Sequence, residues 1–280
     1  MSNSFYLRKV NCNNGCKAPR NDGAQPAPGR IAMTNCTTCQ LCQICLPAGM
    51  RRSDVARIAP LVRRRVRLAK GDLAYRSGDA VRSVYAVRAG MLKTHFTSRN
   101  GREKVVGFHL PGEIVGLDSL ATSIYPVNAT ALEVASLCEI PVDALQTRAA
   151  DTAALRHRLI ETFGESSRRE RELTAMLVLM SADERVAAFL LELSGRLSAR
   201  GYAASEFLLR MTRDDIGNYL GLKLETISRV LKRLARAGLI AVRTRHVVLL
   251  DKEALQAIAD GDAQPRGNDE VVSLRNRPQD

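Results

Sequence analysis

The sequence has no apolar run that approaches the roughly 20 residues needed to cross a bilayer, which argues against a membrane protein. Its amino terminus, MSNSFYLRKVNCNNGC, lacks the apolar core of a secretory signal, so we expect a cytoplasmic chain with reduced cysteines. It contains no glycine-rich nucleotide fingerprint and no convincing catalytic constellation. The histidines are scattered, at His95, His109, His157 and His246. These absences disfavour an enzyme.

Acidic residues are scarce relative to basic ones. The chain holds 42 Lys and Arg against 29 Asp and Glu, a formal net charge of +13. Residues 1–70 contain 13 basic and 2 acidic side chains, and residues 201–250 contain 9 basic and 4 acidic ones. Positive charge concentrated in this way indicates a polyanionic partner.

Four of the seven cysteines fall between Cys36 and Cys45, in the segment NCTTCQLCQICLP. In a reducing compartment such tight spacing favours metal or redox chemistry over structural disulfides. Four thiolates suit either an iron–sulfur cluster or a structural zinc ion, and ligand type alone does not separate the two. The run C-x2-C-x2-C-x2-C differs from the ferredoxin pattern C-x2-C-x2-C-x3-C, because its last gap is one residue shorter.

Changes in composition along the chain predict an α+β protein with five parts. Residues 1–50 read as a flexible leader that carries the cysteine motif, and residues 262–280 as a loose tail. Residues 51–150 show short β-like runs between glycines, which predict an antiparallel β-barrel or jelly roll with a hairpin at Gly90. Residues 151–181 predict a long helix, and residues 182–261 a second domain.

The long helix carries apolar side chains at steps of three and four residues, in a stripe narrow enough for a coiled-coil seam. A face packed on its own domain would give the same pattern. Glu170 interrupts the stripe, and a buried carboxylate costs several kcal/mol unless it is paired or protonated. A conditional homodimer therefore fits the pattern better than a permanent one. The predicted seam consists of Leu155, Leu159, Phe163, Glu170, Leu173, Leu177 and Met180.

The segment from Thr212 onward predicts a winged helix-turn-helix. Thr212 is a plausible N-cap with Asp215 three residues on, and the helix that it opens should stop near Gly221. A second helix should run from Leu224 to Ala237, followed by the β runs LIAVR and HVVLL. This layout is that of a DNA-binding domain. The predicted buried face of the second helix consists of Leu224, Ile227, Leu231 and Leu234.

The opposite face of the second helix carries groups that suit DNA, although a solvated charged face would look similar. Arg229 could bind guanine, Glu225 could accept from a cytosine amino group, and Ser228 tolerates several bases. The other basic residues suit phosphate contacts, which position a protein without reading sequence. They are Lys232, Arg233, Arg236, Arg243 and Arg245.

From about Cys36 to Leu250 the chain resembles the oxygen-sensing FNR regulators of the cyclic-AMP receptor protein (CRP/FNR) superfamily. The resemblance lies in GFHLPGEIVGLDSL, LCEIP, DERVAAFLLELS and MTRDDIGNYLGLKLETISR. It implies a β jelly-roll sensor domain, a dimerisation helix, a C-terminal winged helix-turn-helix and contact with RNA polymerase. It also implies that Glu225, Ser228 and Arg229 read a TTGAT-type half-site, so that a dimer binds a TTGAT-N4-ATCAA-like palindrome.

The same resemblance implies a 4Fe-4S cluster on Cys36, Cys39, Cys45 and Cys138, which promotes dimerisation under low oxygen. Cys42 is extra to that pattern and could be a spare thiol or a replacement ligand, while Cys12 and Cys16 are expected not to be ligands. A structural zinc ion or a thiol redox switch remains the alternative. Glu170 matches a carboxylate that opposes dimerisation without the cluster. No cyclic nucleotide is expected, because TSIYPVNATAL lacks the arginine-serine pair that holds its phosphate.

Overall fold

A computed structural model describes residues 36–265 and the backbone of residues 272–273. Residues 1–35 of the predicted leader, with Cys12 and Cys16, and most of the predicted tail lie outside the described residues. In chain order the first elements are α1 (Arg52–Ile58), β1 (Arg64–Leu68), β2 (Leu73–Tyr75), β3 (Ser83–Ala89), β4 (Leu92–Thr97), β5 (Glu103–His109), β6 (Ile114–Val115), β7 (Asn128–Ala131), β8 (Ala135–Pro141) and α2 (Val142–Asp151). They are followed by α3 (Ala153–Leu179), α4 (Ala182–Ser198), β9 (Glu206–Leu208), α5 (Arg213–Leu220), α6 (Leu224–Arg236), β10 (Ile240–Arg243), β11 (His246–Leu249), α7 (Lys252–Ala259), β12 (Ala263–Gln264) and β13 (Val272–Ser273).

The described chain divides into two compact units. Unit 1 contains residues 36–92 and 109–163, and unit 2 contains residues 93–108 and 164–265. Strands occupy most of the first half and helices most of the second, so the predicted α+β class is confirmed. No helix among the described residues is long and apolar enough to span a membrane.

Two four-stranded sheets form a β-roll, in the strand orders β1-β8-β3-β6 and β2-β7-β4-β5. The predicted hairpin at Gly90 is wrong, because β3 pairs with β8 and β6 whereas β4 belongs to the other sheet. Gly90 has φ +80°, and a Cβ there would lie 2.6 Å from the carbonyl oxygen of Val134. Only glycine fits this close crossing from one sheet to the other.

One hydrophobic cluster of unit 1 joins the sheet to three other parts of the chain. It contains Leu46 from the cysteine segment, Ile58 from α1, Cys138 from β8 and Leu155 from the first turn of α3. Leu159 packs against the same cluster. The start of α3 and the cysteine segment therefore share one core.

Unit 2 contains the predicted winged helix-turn-helix. Helix α5 starts at Thr212, whose side chain and Asp215 form a reciprocal capping box, and it ends at Gly221 in the left-handed conformation. Helix α6 starts at Leu224 as expected and ends one residue early, at Arg236. The two predicted β runs are β10 and β11, and β9 adds a third strand in the order β10-β11-β9.

Candidate metal centre and nucleic-acid interface

The segment from Cys36 to Met50 winds through consecutive tight turns. Backbone N–H groups three residues further on donate to the carbonyl oxygens of Cys36 at 3.3 Å, Cys39 at 3.1 Å and Cys45 at 2.9 Å. In turns of this kind, side chains three residues apart eclipse one another. Cysteines spaced every three residues therefore tend to share one side of the segment, Cys42 included.

Two contacts seat the cysteine segment on unit 1. Leu46 is buried in the core beside Ile58 and Leu61. Ile44 lies against Gly112, which has φ +93°, and a Cβ at Gly112 would lie 3.0 Å from Cγ1 of Ile44. Glycine at this position lets the segment lie close to the turn before β6.

Cys138 reaches the same place from β8. It pairs with Arg65 of β1 and with Ala86 of β3, and only 8% of its surface is exposed. A cavity that is partly open to solvent lies between β3, β8 and the cysteine segment. Five thiols line it: Cys36, Cys39, Cys42, Cys45 and Cys138. The structure thus brings the four residues predicted as ligands into one cavity, together with Cys42.

Burial keeps two of these thiols protonated at neutral pH. It raises the pKa of Cys45 to about 12. The pKa of Cys36 is raised to about 11, chiefly by burial and then by the neighbouring Cys138 and Cys39, while Arg88 acts in the opposite direction. Because thiolates are the ligands that a metal binds, occupation of the cavity must release protons.

A zinc ion and a four-iron cluster would need different arrangements of the five thiols. Within residues 36–265, no three His, Cys, Asp or Glu side chains come together in a way that could hold a single metal ion. Tetrahedral zinc, with Zn–S distances of about 2.3 Å, needs sulfur atoms about 3.8 Å apart. The thiolates of a four-iron cluster bind separate iron atoms, so they stand further apart. The thiols line one cavity without forming a metal site among the described residues, and thiolate donors suit either a cluster or a zinc ion.

The turn between α5 and α6 depends on a close backbone approach. A Cβ at Gly217 would lie 2.5 Å from the carbonyl oxygen of Leu222. The N–H of Leu222 donates to the carbonyl of Gly217 at 2.8 Å, and Gly221 ends α5 at φ +66°. These contacts set the direction in which α6 leaves the turn.

Helix α6 buries one face, and its composition differs in one place from the predicted face. Ile227, Val230, Leu231 and Leu234 are buried. Leu224 is 42% exposed, so its predicted burial is wrong. Leu224 is the first residue of the helix, and the first side chain that packs inward is that of Ile227, three positions later.

The three predicted base-reading residues lie on the outer side of α6. Glu225 and Arg229 are exposed and Ser228 is half-buried. Arg213 of α5 donates from Nη1 to Oγ of Ser228 at 3.1 Å. Sequence reasoning missed Arg213, and the signal that could have found it is its place directly after the N-cap of the preceding helix.

The predicted phosphate contacts separate into two groups. Lys232, Arg236, Arg243 and Arg245 are exposed. Arg233 instead forms a two-pronged ion pair with Asp183 of α4, with Nε 2.9 Å from Oδ1 and Nη2 2.6 Å from Oδ2. Its guanidinium therefore holds α6 against α4, a role that the sequence pattern did not indicate.

Residues 93–108 contact α5 at both of its ends. Sequence reasoning also missed these contacts. Lys93 lies 2.8 Å from the carboxylate of Asp215, in the capping box. Lys104 donates at 2.6 Å to the carbonyl oxygen of Asn218, in the last turn. The Asn218 amide donates to the carbonyl of Glu103 at 2.7 Å. These contacts hold the first helix of the DNA-binding motif from outside it.

Helix α3 presents a different exposed face from the predicted seam. Leu155 is fully buried and Leu159 packs on the core of unit 1, so these two residues are used within the chain. Phe163 and Glu170 of the predicted seam are exposed, and Leu173, Leu177 and Met180 are half-buried. The exposed stripe, at steps of three and four residues, consists of Ile160, Phe163, Ser167, Glu170, Thr174 and Val178.

A winged helix-turn-helix that follows a β-roll and a long helix defines a DNA-binding regulator with an attached sensor domain. Residues 184–258 match the Crp-like helix-turn-helix domain, and residues 65–151 match the cyclic nucleotide-binding domain. The chain is 42% identical to the transcriptional activator protein Anr of Pseudomonas protegens over 83% of this chain and 95% of that protein. It is 38% identical to an anaerobic regulatory protein of Haemophilus influenzae over 79% of this chain and 86% of that protein.

Among solved structures, FixK2 from Bradyrhizobium japonicum is similar with a TM-score of 0.65 and 30% identity, over 69% of this chain and 96% of that one. The chain therefore belongs to the CRP/FNR family of transcription regulators. Its relatives are regulators and not enzymes, in agreement with the prediction.

Proposed function

We propose that this chain is a cytoplasmic, oxygen-responsive transcription activator. In this proposal Cys36, Cys39, Cys45 and Cys138 hold a 4Fe-4S cluster under low oxygen, and the cluster promotes dimerisation and DNA binding. The observation that carries the proposal is the single cavity lined by five thiols from two distant segments. The names of the relatives, an activator and an anaerobic regulatory protein, support it.

When bound, the cluster supplies a centre that dioxygen degrades, and the chain's own residues convert its presence into a change of shape. Thiolates of Cys36, Cys39 and Cys45 in the segment and of Cys138 in β8 would hold the cluster together, and this would tie the segment to the strand. Leu46 and Cys138 belong to the same core as Leu155, with Leu159 packed against it. The tie therefore acts directly on the first two turns of α3.

The exposed stripe on α3 is the surface on which we propose that a second copy packs. Ile160 is 68% exposed and Val178 is 75% exposed. Burying one apolar side chain of this size fully would stabilise a dimer by about 1.5 to 3 kcal/mol. Glu170 lies in the same stripe and would face its copy across a two-fold axis, where like charges repel. Shifting a pairing equilibrium from 1:99 to 99:1 takes about 5.5 kcal/mol. Repacked apolar side chains and a shielded carboxylate pair are of that order.

A dimer of this kind reads two half-sites one helical turn apart, as in the proposed TTGAT-N4-ATCAA-like palindrome. Glu225, Ser228 and Arg229 contact base edges, and the exposed cations of α6 and the wing contact phosphates. RNA polymerase is the proposed protein partner. Cyclic nucleotides are not proposed as ligands, because the stretch TSIYPVNATAL lacks the arginine-serine pair that would hold the phosphate.

The decisive test is metal analysis of protein purified without air. We expect about four iron atoms and four acid-labile sulfides per chain, together with visible absorbance that bleaches on exposure to air. Cys138→Ser should lose the iron, whereas Cys42→Ser, from the same cavity, should keep it. A preparation that contains zinc and no iron would support the structural-zinc alternative instead.

A second arm links the cluster to DNA. Protein with its cluster should bind a duplex carrying the palindrome as a dimer, and air should weaken that binding. If metal-free protein bound the same duplex equally tightly as a stable dimer, oxygen control through the cluster would be refuted. The winged helix-turn-helix would remain as the output of another switch.

A further inference from the structure

Strand β3 contains an extra residue at the wall of the thiol cavity. Its pairing with β8 runs regularly from Ser83 to Val87, then jumps so that Val87 faces Leu137 and Ala89 faces Ser136. Arg88 is the inserted residue and has no partner on β8. Bulges of this kind turn a side chain away from the regular alternation and are enriched next to functional sites.

Arg88 is the only charged side chain among the described residues that line this cavity. The residue as a whole is half-buried. A cation on the wall of a cavity attracts an anion held inside it, and it does so more strongly than in bulk water because the protein around it has a lower dielectric constant.

We propose that Arg88 is the counter-cation of the metal centre: its guanidinium faces the cavity and neutralises part of the negative charge of a metal held by four thiolates. The proposal rests on the proposed function in so far as the thiols hold a metal. Four thiolates on either a 4Fe-4S core or a zinc ion leave a net negative charge, so the role of Arg88 does not depend on which metal is present. Arg88 is a positioning and stabilising residue rather than a ligand, since arginine stays protonated in proteins.

The test compares how firmly three variants hold metal. Arg88→Met keeps most of the apolar volume and removes the charge, Arg88→Lys restores the charge, and Arg82→Met removes an equal charge from the exposed position just before β3. Each protein is loaded with iron and sulfide without air, and the rate at which a chelator removes the iron is measured. In parallel, metal-free protein is titrated with Co²⁺, whose thiolate complexes are coloured.

We expect Arg88→Met to lose iron about ten times faster than wild type and to bind Co²⁺ about ten times more weakly. Arg88→Lys should lie within threefold of wild type, and Arg82→Met should match wild type. Equal effects of Arg88→Met and Arg82→Met would overturn the proposal, because only net charge would then matter, and so would an unchanged Arg88→Met. Circular dichroism of the metal-free variants shows whether they fold, and Arg88→Lys reports on the charge even if Arg88→Met does not fold.

The experiments distinguish a failure of the proposed oxygen response from a failure of the proposed role of Arg88. If wild type holds zinc or Co²⁺ but no cluster, and Arg88→Met weakens that binding, the proposed oxygen response fails while the role of Arg88 stands. If wild type holds a cluster and all three variants retain it equally, the role of Arg88 fails and the proposed function stands. If wild type binds neither iron and sulfide nor Co²⁺, both fail.

Discussion

Gly217 offers a direct test of how the DNA-reading helix is held. It lies inside α5 and is buried, and a Cβ added there would meet the carbonyl oxygen of Leu222 at 2.5 Å. That atom belongs to the backbone of the turn, so no side-chain rotation can relieve the clash. Gly195 of α4 is a matched control in the same unit, because a Cβ there has no neighbour within 4 Å.

The two Gly→Ala changes should therefore move stability in opposite directions. Alanine in a helix interior is favoured over glycine by about 0.8 to 1.0 kcal/mol, which is the whole effect expected at Gly195. At Gly217 the same gain is opposed by an overpacking cost of about 3 kcal/mol, at the upper end of the usual range because backbone must move. Unit 2 should lose about 2 kcal/mol in Gly217→Ala and gain up to about 1 kcal/mol in Gly195→Ala.

Chemical denaturation followed by circular dichroism, with calorimetry to resolve the two units, measures both changes. Gly217→Ala should also weaken DNA binding, because the displaced turn changes the direction of α6, while Gly195→Ala should bind normally. If Gly217→Ala were as stable as wild type and bound DNA equally well, the close approach at Leu222 would not be what fixes the turn.

Three further outcomes follow from contacts of single side chains. Arg229→Ala should weaken binding to the palindrome by about 1 to 3 kcal/mol and relax one base position; fluorescence anisotropy on matched and altered duplexes measures this, and equal loss on all sequences would contradict base reading. Burial alone would raise the pKa of Glu139, but hydrogen bonds from Arg64 and Ser83 outweigh it and lower that pKa below 4.5. The carboxylate therefore stabilises the fold above its unfolded-state pKa and loses this contribution as pH falls through the lowered pKa. In Glu139→Gln the free energy of unfolding should fall less steeply as the pH is lowered, which denaturation at a series of acid pH values measures. Glu170→Ala should raise the dimer fraction of metal-free protein in sedimentation experiments, and an unchanged fraction would remove the carboxylate from the switch.

The sequence was most informative where local chemistry decides the structure. The Thr212 capping box, the left-handed Gly221 and the apolar face of α6 depend on neighbouring residues, and all three formed close to the expected positions. The hairpin expected at Gly90 did not form. A glycine in a β pattern shows that the chain turns, but only distant residues such as Val134 determine which sheet it enters next.

The sequence predicted the cysteines of the candidate metal site, but it did not predict the cation that lines the cavity. Period-three spacing and family resemblance both pointed to the cysteine segment, whereas neither of them points to Arg88. The cation that lines the cavity is Arg88. It arrives through a bulge in β3, and a bulge is set by the pairing of two strands separated by some fifty residues, which no local pattern records.

Helix α3 shows why a stripe of apolar residues does not by itself identify a dimer seam. Leu155 and Leu159 follow the same three-and-four spacing as Phe163, but they pack on the core that contains Cys138. The exposed stripe with Ile160 lies further around the helix, so the first turns are apolar on two faces at once. The two faces share one backbone, so a shift of the whole helix would move both. In the proposed switch, a metal bound at the thiols would act on Leu155 and Leu159, while Phe163 and Glu170 of the predicted seam lie exposed on the same helix.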